Sequence, residues 1–516
     1  MTQNNTDFIP PAVALAAGQT TIGGLFRARA NVQPDVIALQ TADMTLTFAA
    51  LNDRANRLAN ALGNIGLRHG DRVAFLAGNC PACVEVQLAA AKLGAITAMQ
   101  NWRLAGPELE HCINLTSPKI IIVQEDMVDK LDGLQLADHQ RIVLGSTYEA
   151  MLASADATEP TFIAEPEDGL VILYTSGTTG LPKGALISHR AMIARSAVFG
   201  SELGIRPDEA YVAWAPFFHM ISTDTALSTL VRGGKVIIID GFDADQIIDA
   251  VISDRIGWLA LIPGMVEPMI DAIKARSDFA VKGVRYCGAM ADLVSPHHIA
   301  EITTLLQAPF RNTFGATETG SSPASRGTIA IGDIPDRLSK HQNAGCEIRL
   351  VDADDNDVAD GEPGELAIRG PTVFSGYWRA DETNEHDFRG GWFHMGDVFR
   401  RNRDHTLDFV DRAKYMIKTG GENVYPAEIE RVIFTDQRVA DAAVVRVKDE
   451  RWGEAPVAFV ARNDPSLTED ILMDLCRSNL AGYKRPREIH FIAFDDFPRS
   501  TSGKIQRHSL EARLAD

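Results

Sequence analysis

Apolar residues along the first 150 positions alternate between helical spacing and short continuous runs. Three short apolar runs typical of buried strands lie at 72–76, 96–99 and 120–123. Apolar residues at helical spacing over 49–66, and a longer apolar run over 81–93, predict helices between them. This alternation indicates a mainly parallel sheet flanked by helices.

The same alternation resumes at Leu170 and changes character after Cys346. Three strands are predicted at 235–239, 258–262 and 283–287, with a helix over 244–252. Three further strands, at 347–351, 364–368 and 405–410, are separated by Gly and Asp clusters, which favours a small antiparallel β unit. After Arg412 the chain has a core pattern of its own. We therefore predict an α/β fold. A large N-terminal domain (1–412) holds flanked, mainly parallel sheets plus the small β unit, and a small α+β domain (413–516) follows.

Length and charge narrow the classes of protein to consider. A chain of 516 residues exceeds the roughly 250–300 residues at which a single core stops growing, so at least two domains are expected. With 50 basic and 69 acidic residues the net charge is −19, which disfavours general binding to nucleic acid or anionic membranes. The N-terminus lacks the basic stretch of a signal peptide, and we find no membrane-spanning run. We expect a cytoplasmic protein without integral membrane association; a homodimer is compatible with the sequence.

The six cysteines are scattered, which suits a reducing compartment better than a disulfide framework. Cys80 and Cys83 form a C-x-x-C motif, so a metal or redox site has to be weighed. No second such pair or nearby pair of histidines completes four zinc ligands, and the motif opens an apolar helix. We interpret these cysteines as structural.

The loop that follows the strand at 170–173 carries the strongest chemical signal. From Tyr174 to Ala185 it reads YTSGTTGLPKGA, with four Ser or Thr residues, three glycines and one lysine. Glycines let backbone N–H groups approach a phosphate, hydroxyls donate, and a lysine adds positive charge. An ordinary polar turn would not need this density of donors. Pro182 before Lys183 and Gly184 after it distinguish the loop from a Walker motif.

This loop is similar to the signature of the acyl-adenylate-forming superfamily, which includes acyl-CoA synthetases, firefly-type luciferases and peptide-synthetase adenylation domains. Six further motifs resemble those of the family and follow in its order: PFFH at 216–219, FGATE at 314–318, GD at 396–397, DRAK at 411–414, KTGGEN at 418–423 and SGK at 502–504. Seven motifs in one order are very improbable by chance.

The resemblance implies a role for each motif residue in binding ATP. The residues implied to hold its phosphates are Thr175, Ser176, Gly177, Thr178, Thr179, Gly180 and Lys183. Those implied to bind adenine and ribose are Gly288, Ala289, Phe314, Gly315, Asp397 and Arg412. Thr317 would contact the α-phosphate, and Glu318 would hold Mg²⁺, a hard cation that prefers carboxylate oxygens.

The resemblance also implies the residues of the chemical steps. Lys504 would stabilise charge where the carboxylate meets the α-phosphate. His219 would lie beside the acyl pocket, which would be lined from Phe218 to Ser222 and around Cys287 to Met290. A turn with two glycines, Gly420 and Gly421, would let the narrow arm of coenzyme A pass.

Each assignment has an ordinary structural alternative. Glu318 could be a solvated surface acid, Asp397 a turn residue, and Lys504 a tail lysine. Arg412 could pair with Asp411 or Asp408, His219 could simply pack, and the two glycines could form a plain turn.

Three departures from the family pattern are Phe314 for a tyrosine, Met395 for a threonine, and the stretch 340–342 in place of Gly-x-Pro. None of them removes a charge that the chemistry requires.

Within the family the sequence favours a carboxylate–CoA ligase. Peptide-synthetase domains usually have an Asp that pairs with the amine of the substrate. Here His219 looks to occupy that position, so an amine would have no counter-charge, which disfavours amino-acid substrates. The stretch 451–456, RWGEAP, resembles acyl-CoA synthetases. We expect a fatty or aromatic acid to react with MgATP, giving acyl-AMP and pyrophosphate. The mobile small domain would then swing about Lys414 so that CoA takes the acyl group. The alternatives are an adenylating enzyme with another acceptor, such as a carrier protein or a luciferase-like reaction, and a noncatalytic nucleotide sensor.

Overall fold

A computed structural model of the chain describes residues 16–161, 164–175, 181–262, 264–419, 422–449, 451–499 and 505–514. Its strands are β1 Ile37–Gln40, β2 Thr45–Thr47, β3 Arg72–Leu76, β4 Ile96–Met99, β5 Ile120–Val123, β6 Gln140–Val143, β7 Gly169–Thr175, β8 Lys183–Ser188, β9 Ala210–Ala213, β10 Val236–Ile238, β11 Ile256–Ala260, β12 Val284–Ala289, β13 Phe310–Asn312, β14 Gly315–Ala316, β15 Gly320–Pro323, β16 Thr328–Ile329, β17 Glu347–Val351, β18 Pro363–Arg369, β19 Phe393–Arg401, β20 Leu407–Arg412, β21 Ile417–Thr419, β22 Glu422–Val424, β23 Val439–Asp449, β24 Gly453–Arg462 and β25 Ile489–Phe491. Its α-helices are α1 Ile22–Val32, α2 Phe48–Asn64, α3 Ala82–Leu93, α4 Gly106–Thr116, α5 Ser146–Ser154, α6 His189–Ala197, α7 Met220–Arg232, α8 Ala244–Ser253, α9 Val266–Ala275, α10 Pro296–Leu306, α11 Asp381–Asp387, α12 Pro426–Ile433, α13 Glu469–Asn479 and α14 Arg507–Ala512.

The first sheet has six strands in the order β6-β5-β3-β4-β7-β8. All neighbours are parallel except β7 and β8, which form an antiparallel hairpin. Every residue of β4 and β5 is buried, as expected for parallel strands covered on both faces. Helix α3 is buried almost all round, and its charged residues are paired: Glu85 with Arg54, and Lys92 with Glu159.

The second sheet has eight strands in the order β16-β13-β12-β11-β9-β10-β1-β2. Its inner pairs are parallel, and only the two edge pairs are antiparallel. Strands β12 and β13 lie side by side, so that Gly288 and Ala289 sit next to Arg311 and Asn312 near the carboxyl ends. The carboxyl edge of a parallel sheet is where ligands usually bind in such folds.

The rest of the chain is mostly antiparallel. Strands β17 to β20 form a four-stranded sheet, and a five-stranded sheet follows in the order β22-β21-β24-β23, with β25 parallel to β24. Helix α12 contacts the preceding sheet, because the Ala427 N–H donates to Asp411 at 2.9 Å and Arg431 donates to the Phe409 carbonyl at 2.7 Å.

The predicted fold class is confirmed: large sheets that are mainly parallel precede a smaller C-terminal unit. The strands predicted at 96–99, 120–123 and 347–351 have the observed bounds. The strand predicted at 258–262 begins and ends two residues earlier. Within the described part of the chain, no helix is both long and apolar enough to span a membrane. The boundary between residues 412 and 413 stays a prediction.

Candidate active site

The hairpin of β7 and β8 carries the ends of the predicted phosphate loop. Thr175 ends β7 opposite Lys183, which begins β8. The residues between them that were assigned to the phosphates, 176–180, lie outside the described residues. Tyr174 is fixed just before the loop, since its hydroxyl donates to the Cys112 carbonyl at 2.7 Å and accepts from the Gln100 amide at 3.0 Å.

Tyr377 joins two of the predicted site segments. Its hydroxyl donates to Glu318 Oε1 at 2.8 Å, and its ring centroid lies 3.9 Å from Lys183 Nζ. Tyr377 and Glu318 are only 7% and 9% exposed. Burial and the neighbouring Glu318 carboxylate raise the pKa of Tyr377, so it remains a hydrogen-bond donor. Lys183, predicted to hold the phosphates, and Glu318, predicted to hold magnesium, therefore share Tyr377 as a partner.

The backbone around Tyr377 is hydrogen-bonded to two of the predicted site segments, the one that contains Lys183 and the one that contains Glu318. The N–H of Trp378 donates to Gly184 at 2.7 Å, beside Lys183, and the N–H of Phe374 donates to the Glu318 carbonyl at 2.8 Å. Asn384 on α11 accepts from the Tyr377 N–H at 2.7 Å. Lys183 Nζ also lies 3.8 Å from the carboxylate of Asp387, at the end of α11.

A buried arginine fixes the backbone at Thr317. Arg195 on α6 donates to the Thr317 carbonyl at 3.1 Å, to the Thr372 carbonyl at 3.0 Å and to Asp224 on α7 at 2.9 Å. Both charged side chains are buried, and burial raises the pKa of Asp224 although Arg195 opposes this. The pair sets the position of the turn that carries Thr317 and Glu318.

Two of the predicted nucleotide residues are glycines because neighbouring backbone lies too close for a side chain. A Cβ on Gly288 would lie 2.3 Å from the Arg311 carbonyl oxygen, and one on Gly315 would lie 1.9 Å from the Gly320 carbonyl oxygen. Ala289 accepts the Thr313 N–H at 3.0 Å, which brings the end of β12 against the segment before β14. Phe314 follows and is buried, 4.6 Å from the Phe399 ring and 5.9 Å from the Phe409 ring.

The two predicted ribose residues face each other across β19 and β20. Asp397 and Arg412 are directly paired in the strand register, and Arg412 Nε lies 2.7 Å from Asp397 Oδ1. Asp397 is 2% exposed. The negative charge of Asp397 raises the pKa of the Arg412 guanidinium, against the opposing effect of burial. Arg412 thus pairs with Asp397, rather than with Asp411 or Asp408 as the alternative interpretation had it.

The predicted hinge lies in the connection between β20 and β21. Residues Ala413–Tyr415 form one short 3-10 turn, and Lys414 is exposed with Nζ 5.0 Å from the Tyr415 ring. Asp411 accepts the N–H of Arg412 at 2.6 Å and that of Ala427 at 2.9 Å. Burial raises the pKa of Asp411 to about 6, although the Arg507 charge lowers it.

The PFFH motif connects β9 to α7. Phe217 and Phe218 are buried, and the half-buried His219 precedes α7 with its ring 4.7 Å from that of Phe218. Asn79, at the end of the first sheet, accepts the Phe217 N–H at 3.1 Å. Its amide nitrogen lies 2.9–3.3 Å from four carbonyl oxygens, those of Ala213, Trp214, Ala215 and Ile239.

The residues assigned to the second half of the chemistry are less fully described. Gly420, Gly421 and Lys504 lie outside the described residues. Thr419 ends β21 and Glu422 begins β22, so the two glycines lie between these strands in sequence. Thr419 is paired with Gly453, and the preceding Trp452 is 49% exposed, with the Arg451 guanidinium 4.6 Å from its ring.

The structure adds four residues that the sequence patterns did not identify: Tyr377, Arg195, Asp224 and Asn79. None belongs to a recognisable motif. Tyr377, Arg195 and Asn79 each contact a motif residue that is distant in sequence, such as Glu318, which is 59 positions before Tyr377, and Asp224 acts through Arg195. Their sequences carried no clear signal, because α6 (HRAMIARSA) and α7 (MISTDTALSTLVR) contain several polar residues each, so that Arg195 and Asp224 do not stand out.

Comparisons with known proteins identify the family to which the chain is similar. A sequence model described as AMP-binding enzyme matches residues 26–378, and one described as AMP-binding enzyme C-terminal domain matches residues 428–504. The chain is 33% identical to a feruloyl-CoA synthase of an Amycolatopsis species, over 94% of this chain and 97% of that protein. It is 31% identical to a 2-succinylbenzoate–CoA ligase of a Geobacillus species, over 96% and 98%. The crystal structure of ATP-bound MatB from Rhodopseudomonas palustris superposes with a TM-score of 0.83 at 26% identity, over 96% of this chain and 99% of that one.

Proposed function

The chain belongs to the AMP-binding enzyme family, in its acyl-CoA synthetase branch, and from that premise we propose that it activates a fatty or aromatic carboxylic acid with MgATP and transfers the acyl group to CoA. The observation that carries the nucleotide half of this proposal is Tyr377, which links Lys183 to Glu318. The division into residues 1–412 and a mobile 413–516 is part of the proposal.

The residues at Glu318 fit a magnesium ion that is held largely by phosphates. Tyr377 engages Oε1 of the carboxylate, and a carboxylate can accept further contacts at its second oxygen. Mg²⁺ in nucleotide sites usually has one or two protein carboxylates and otherwise takes phosphate and water ligands. When bound, the ion would neutralise charge on the leaving pyrophosphate.

In the proposed first step the chain orients ATP and neutralises its charge. Lys183 turns from the Tyr377 ring to the phosphates, with the hydroxyls of the loop as further donors. Asp397 accepts from the ribose hydroxyls while Arg412 holds its carboxylate in place. The substrate carboxylate attacks the α-phosphorus in line, and Lys504 stabilises the charge that develops there. One P–O bond forms and one breaks, so pyrophosphate leaves and acyl-AMP remains.

In the proposed second step the small domain turns about Lys414 and presents Gly420 and Gly421. The CoA thiol loses its proton and attacks the acyl carbon, and AMP leaves. The contacts of α12 with Asp411 and Phe409 belong to one orientation of the small domain, and they must break when the domain takes the other orientation. The two orientations are states of one equilibrium that each substrate biases by its own contacts.

The acyl pocket is proposed to lie between the PFFH turn and the end of β12. Trp102 and Phe218 pack edge to face at 6.4 Å, and the His219 ring packs against Phe218. Ring faces and edges bind apolar and aromatic groups well. Similarity to ligases named for feruloyl and 2-succinylbenzoyl groups supports an aromatic acid as the first choice to test.

The direct test is a screen of aliphatic, aryl and branched carboxylic acids for CoA-dependent release of AMP, with the thioester identified by mass. We expect one class of acid to give AMP, pyrophosphate and acyl-CoA in equal amounts. Acyl-AMP that accumulates without a thioester would instead indicate an enzyme with a different acceptor. Binding of ATP without pyrophosphate release for any acid would indicate a nucleotide sensor.

A further inference from the structure

Two cysteines that the proposed catalysis does not use lie together at the start of α3. The N–H of Cys83 donates to the Cys80 carbonyl at 3.0 Å, which closes a turn over Cys80-Pro81-Ala82-Cys83. Cys83 is buried, whereas Cys80 is half-buried. The turn therefore presents one accessible thiol with a second thiol behind it.

The two thiols are electrostatically different. The contact with the Cys83 side chain, together with the N–H groups of Cys83 and Ala82, holds the pKa of the Cys80 thiol below its usual value, although burial acts against this. Burial and the contact with Cys80 raise the pKa of Cys83 well above its usual value. An accessible thiol of lower pKa is the one that attacks, and its buried neighbour is the one that resolves.

Cys80 also lines an open cavity, which gives a reagent access to it. The cavity has a volume of about 600 Å³ and lies at the carboxyl ends of β3, β5 and β6. Five of its lining residues are the acids Glu85, Glu125, Asp126, Glu149 and Asp240. Its one lining arginine, Arg54, is already paired with Glu85 at 2.6 Å and with Glu149 at 2.7 Å. The negative charge favours a neutral or cationic reagent over an anionic one.

The cysteine pair is coupled to the acyl site through the two residues before it. The Cys83 sulfur lies 3.3 Å from the Gly78 carbonyl oxygen, within reach of its thiol hydrogen. Asn79 follows Gly78 and makes the contacts to Phe217 and to the ends of β9 and β10 described above. The backbone here also lies close to Asp240 beyond the second sheet, because Asp240 Oδ1 accepts the Asn79 N–H at 2.8 Å and would lie 2.8 Å from a Cβ on Gly78.

We propose that Cys80 and Cys83 form a redox modification site, which a neutral or cationic low-molecular-weight disulfide converts to an intramolecular disulfide and which thereby weakens binding of the carboxylic acid. The Cys80 thiolate attacks one sulfur of the reagent, forming a mixed disulfide and releasing one thiolate. Cys83 then loses its proton and attacks the Cys80 sulfur, expelling the second thiolate. Two cysteine sulfurs are oxidised and one reagent disulfide is reduced to two thiols, so atoms and electrons balance.

The expected weakening of acid binding follows from the loss of the Cys83 thiol hydrogen. A disulfide has no thiol hydrogen, so the Gly78 carbonyl loses its contact with Cys83 and the Gly78–Asn79 segment adjusts. The contacts of Asn79 with the PFFH turn weaken, and the acid binds less well. This consequence rests on the proposed function, whereas formation of the disulfide does not.

The test uses the full chain with cystamine, a cationic disulfide, and with glutathione disulfide, an anionic one. We expect two thiols to be lost and peptide 73–92, which contains both cysteines, to become lighter by two hydrogens. Cystamine should react about tenfold faster. Cys83→Ser should trap a mixed disulfide on Cys80, while Cys112→Ser, a change at a buried cysteine in α4, should behave as wild type. Retention of both thiols, or a mixed disulfide that Cys83 never resolves, would refute the site.

Kinetics of the oxidised and re-reduced protein then test the coupling. The KM for the acid should rise about threefold or more on oxidation and recover on reduction, while the KM for ATP changes less than about twofold. Asn79→Ala should reproduce the rise in the KM for the acid without oxidation. A disulfide that forms with no change in this KM would overturn the coupling. If no acid is a substrate, the proposed function fails, and the peptide mass still decides whether the dithiol site exists.

Discussion

Replacing Tyr377 with phenylalanine tests whether Glu318 belongs to the nucleotide site. The change removes the hydroxyl that donates to Glu318 Oε1 at 2.8 Å and keeps the ring that lies 3.9 Å from Lys183 Nζ. Glu318 and Tyr377 are both buried, so water does not readily replace the lost donor. The Glu318 carboxylate is left free to turn away from the position in which it would hold Mg²⁺.

The size of the effect follows from the kind of bond that is removed. A hydrogen bond to a charged group contributes about 1.5–3 kcal/mol. Since each 1.4 kcal/mol corresponds to a factor of ten, kcat/KM for MgATP should fall roughly 10- to 150-fold. The loss should be largest at low Mg²⁺, because a misplaced carboxylate holds the ion less well. Stability should change less, since the ring keeps its packing.

The assay is exchange of labelled pyrophosphate into ATP with an accepted acid, measured over a series of Mg²⁺ concentrations. Tyr148→Phe is the matched control, because the hydroxyl of this buried tyrosine donates to buried Glu85 at 2.6 Å, away from the nucleotide residues. We expect the control to exchange at nearly the wild-type rate. The reasoning fails if Tyr377→Phe keeps wild-type exchange at every Mg²⁺ concentration, or if the control loses as much.

Three further changes test other parts of the proposal. Lys504→Ala should abolish acyl-AMP formation but spare thioester formation from supplied acyl-AMP; equal loss of both half-reactions would contradict the separate roles of the two orientations. Gly421→Leu should block the CoA step while pyrophosphate exchange persists, and loss of exchange would count against the proposed path for CoA. Asp411→Asn tests the buried carboxyl that contacts Ala427: its folded pKa of about 6 lies above the unfolded value of about 3.9, so the wild type gains stability relative to the variant as the pH falls from about 7 to about 4. Melting temperatures of both proteins over this range should diverge accordingly, and a constant difference would be inconsistent with a raised pKa.

The strands were the most predictable part of the fold, because buried parallel strands appear as short apolar runs. This holds for Ile96–Met99 and Ile120–Val123, in which every residue is buried. The strand predicted at 258–262 lies two residues later than the observed strand β11, and the cause is again that the prediction follows apolar residues. Leu261 and Ile262 are apolar and pack in the core, yet they lie beyond the paired part of β11, which begins at Ile256. Hydropathy reports burial, whereas strand bounds depend on pairing.

The candidate site was predictable only where chemistry requires a motif in one stretch of chain. Phosphate loops and glycine turns act through consecutive residues, so their spacing is visible in the sequence. Tyr377 and Arg195 act through long-range contacts, including those with Glu318 and with the Thr317 carbonyl. Such contacts leave no local pattern, because any chain position that reaches the same point in space would serve. The positions that hold the motif residues in place therefore had to come from the structure.

The charges in the site show how a chain with a net charge of −19 can bind a polyanion. The two described cations that are assigned to ATP, Arg412 and Lys183, each lie near an acidic residue, but the two pairs differ in distance. Arg412 lies 2.7 Å from Asp397, a hydrogen-bonded distance, so this pair should remain together when a ribose binds. Lys183 lies 3.8 Å from Asp387, beyond hydrogen-bond range, and otherwise faces the Tyr377 ring. Phosphates can therefore take Lys183 at little cost, while Arg412 continues to orient Asp397. We therefore propose that ATP is admitted by local exchange of partners rather than by an overall positive field.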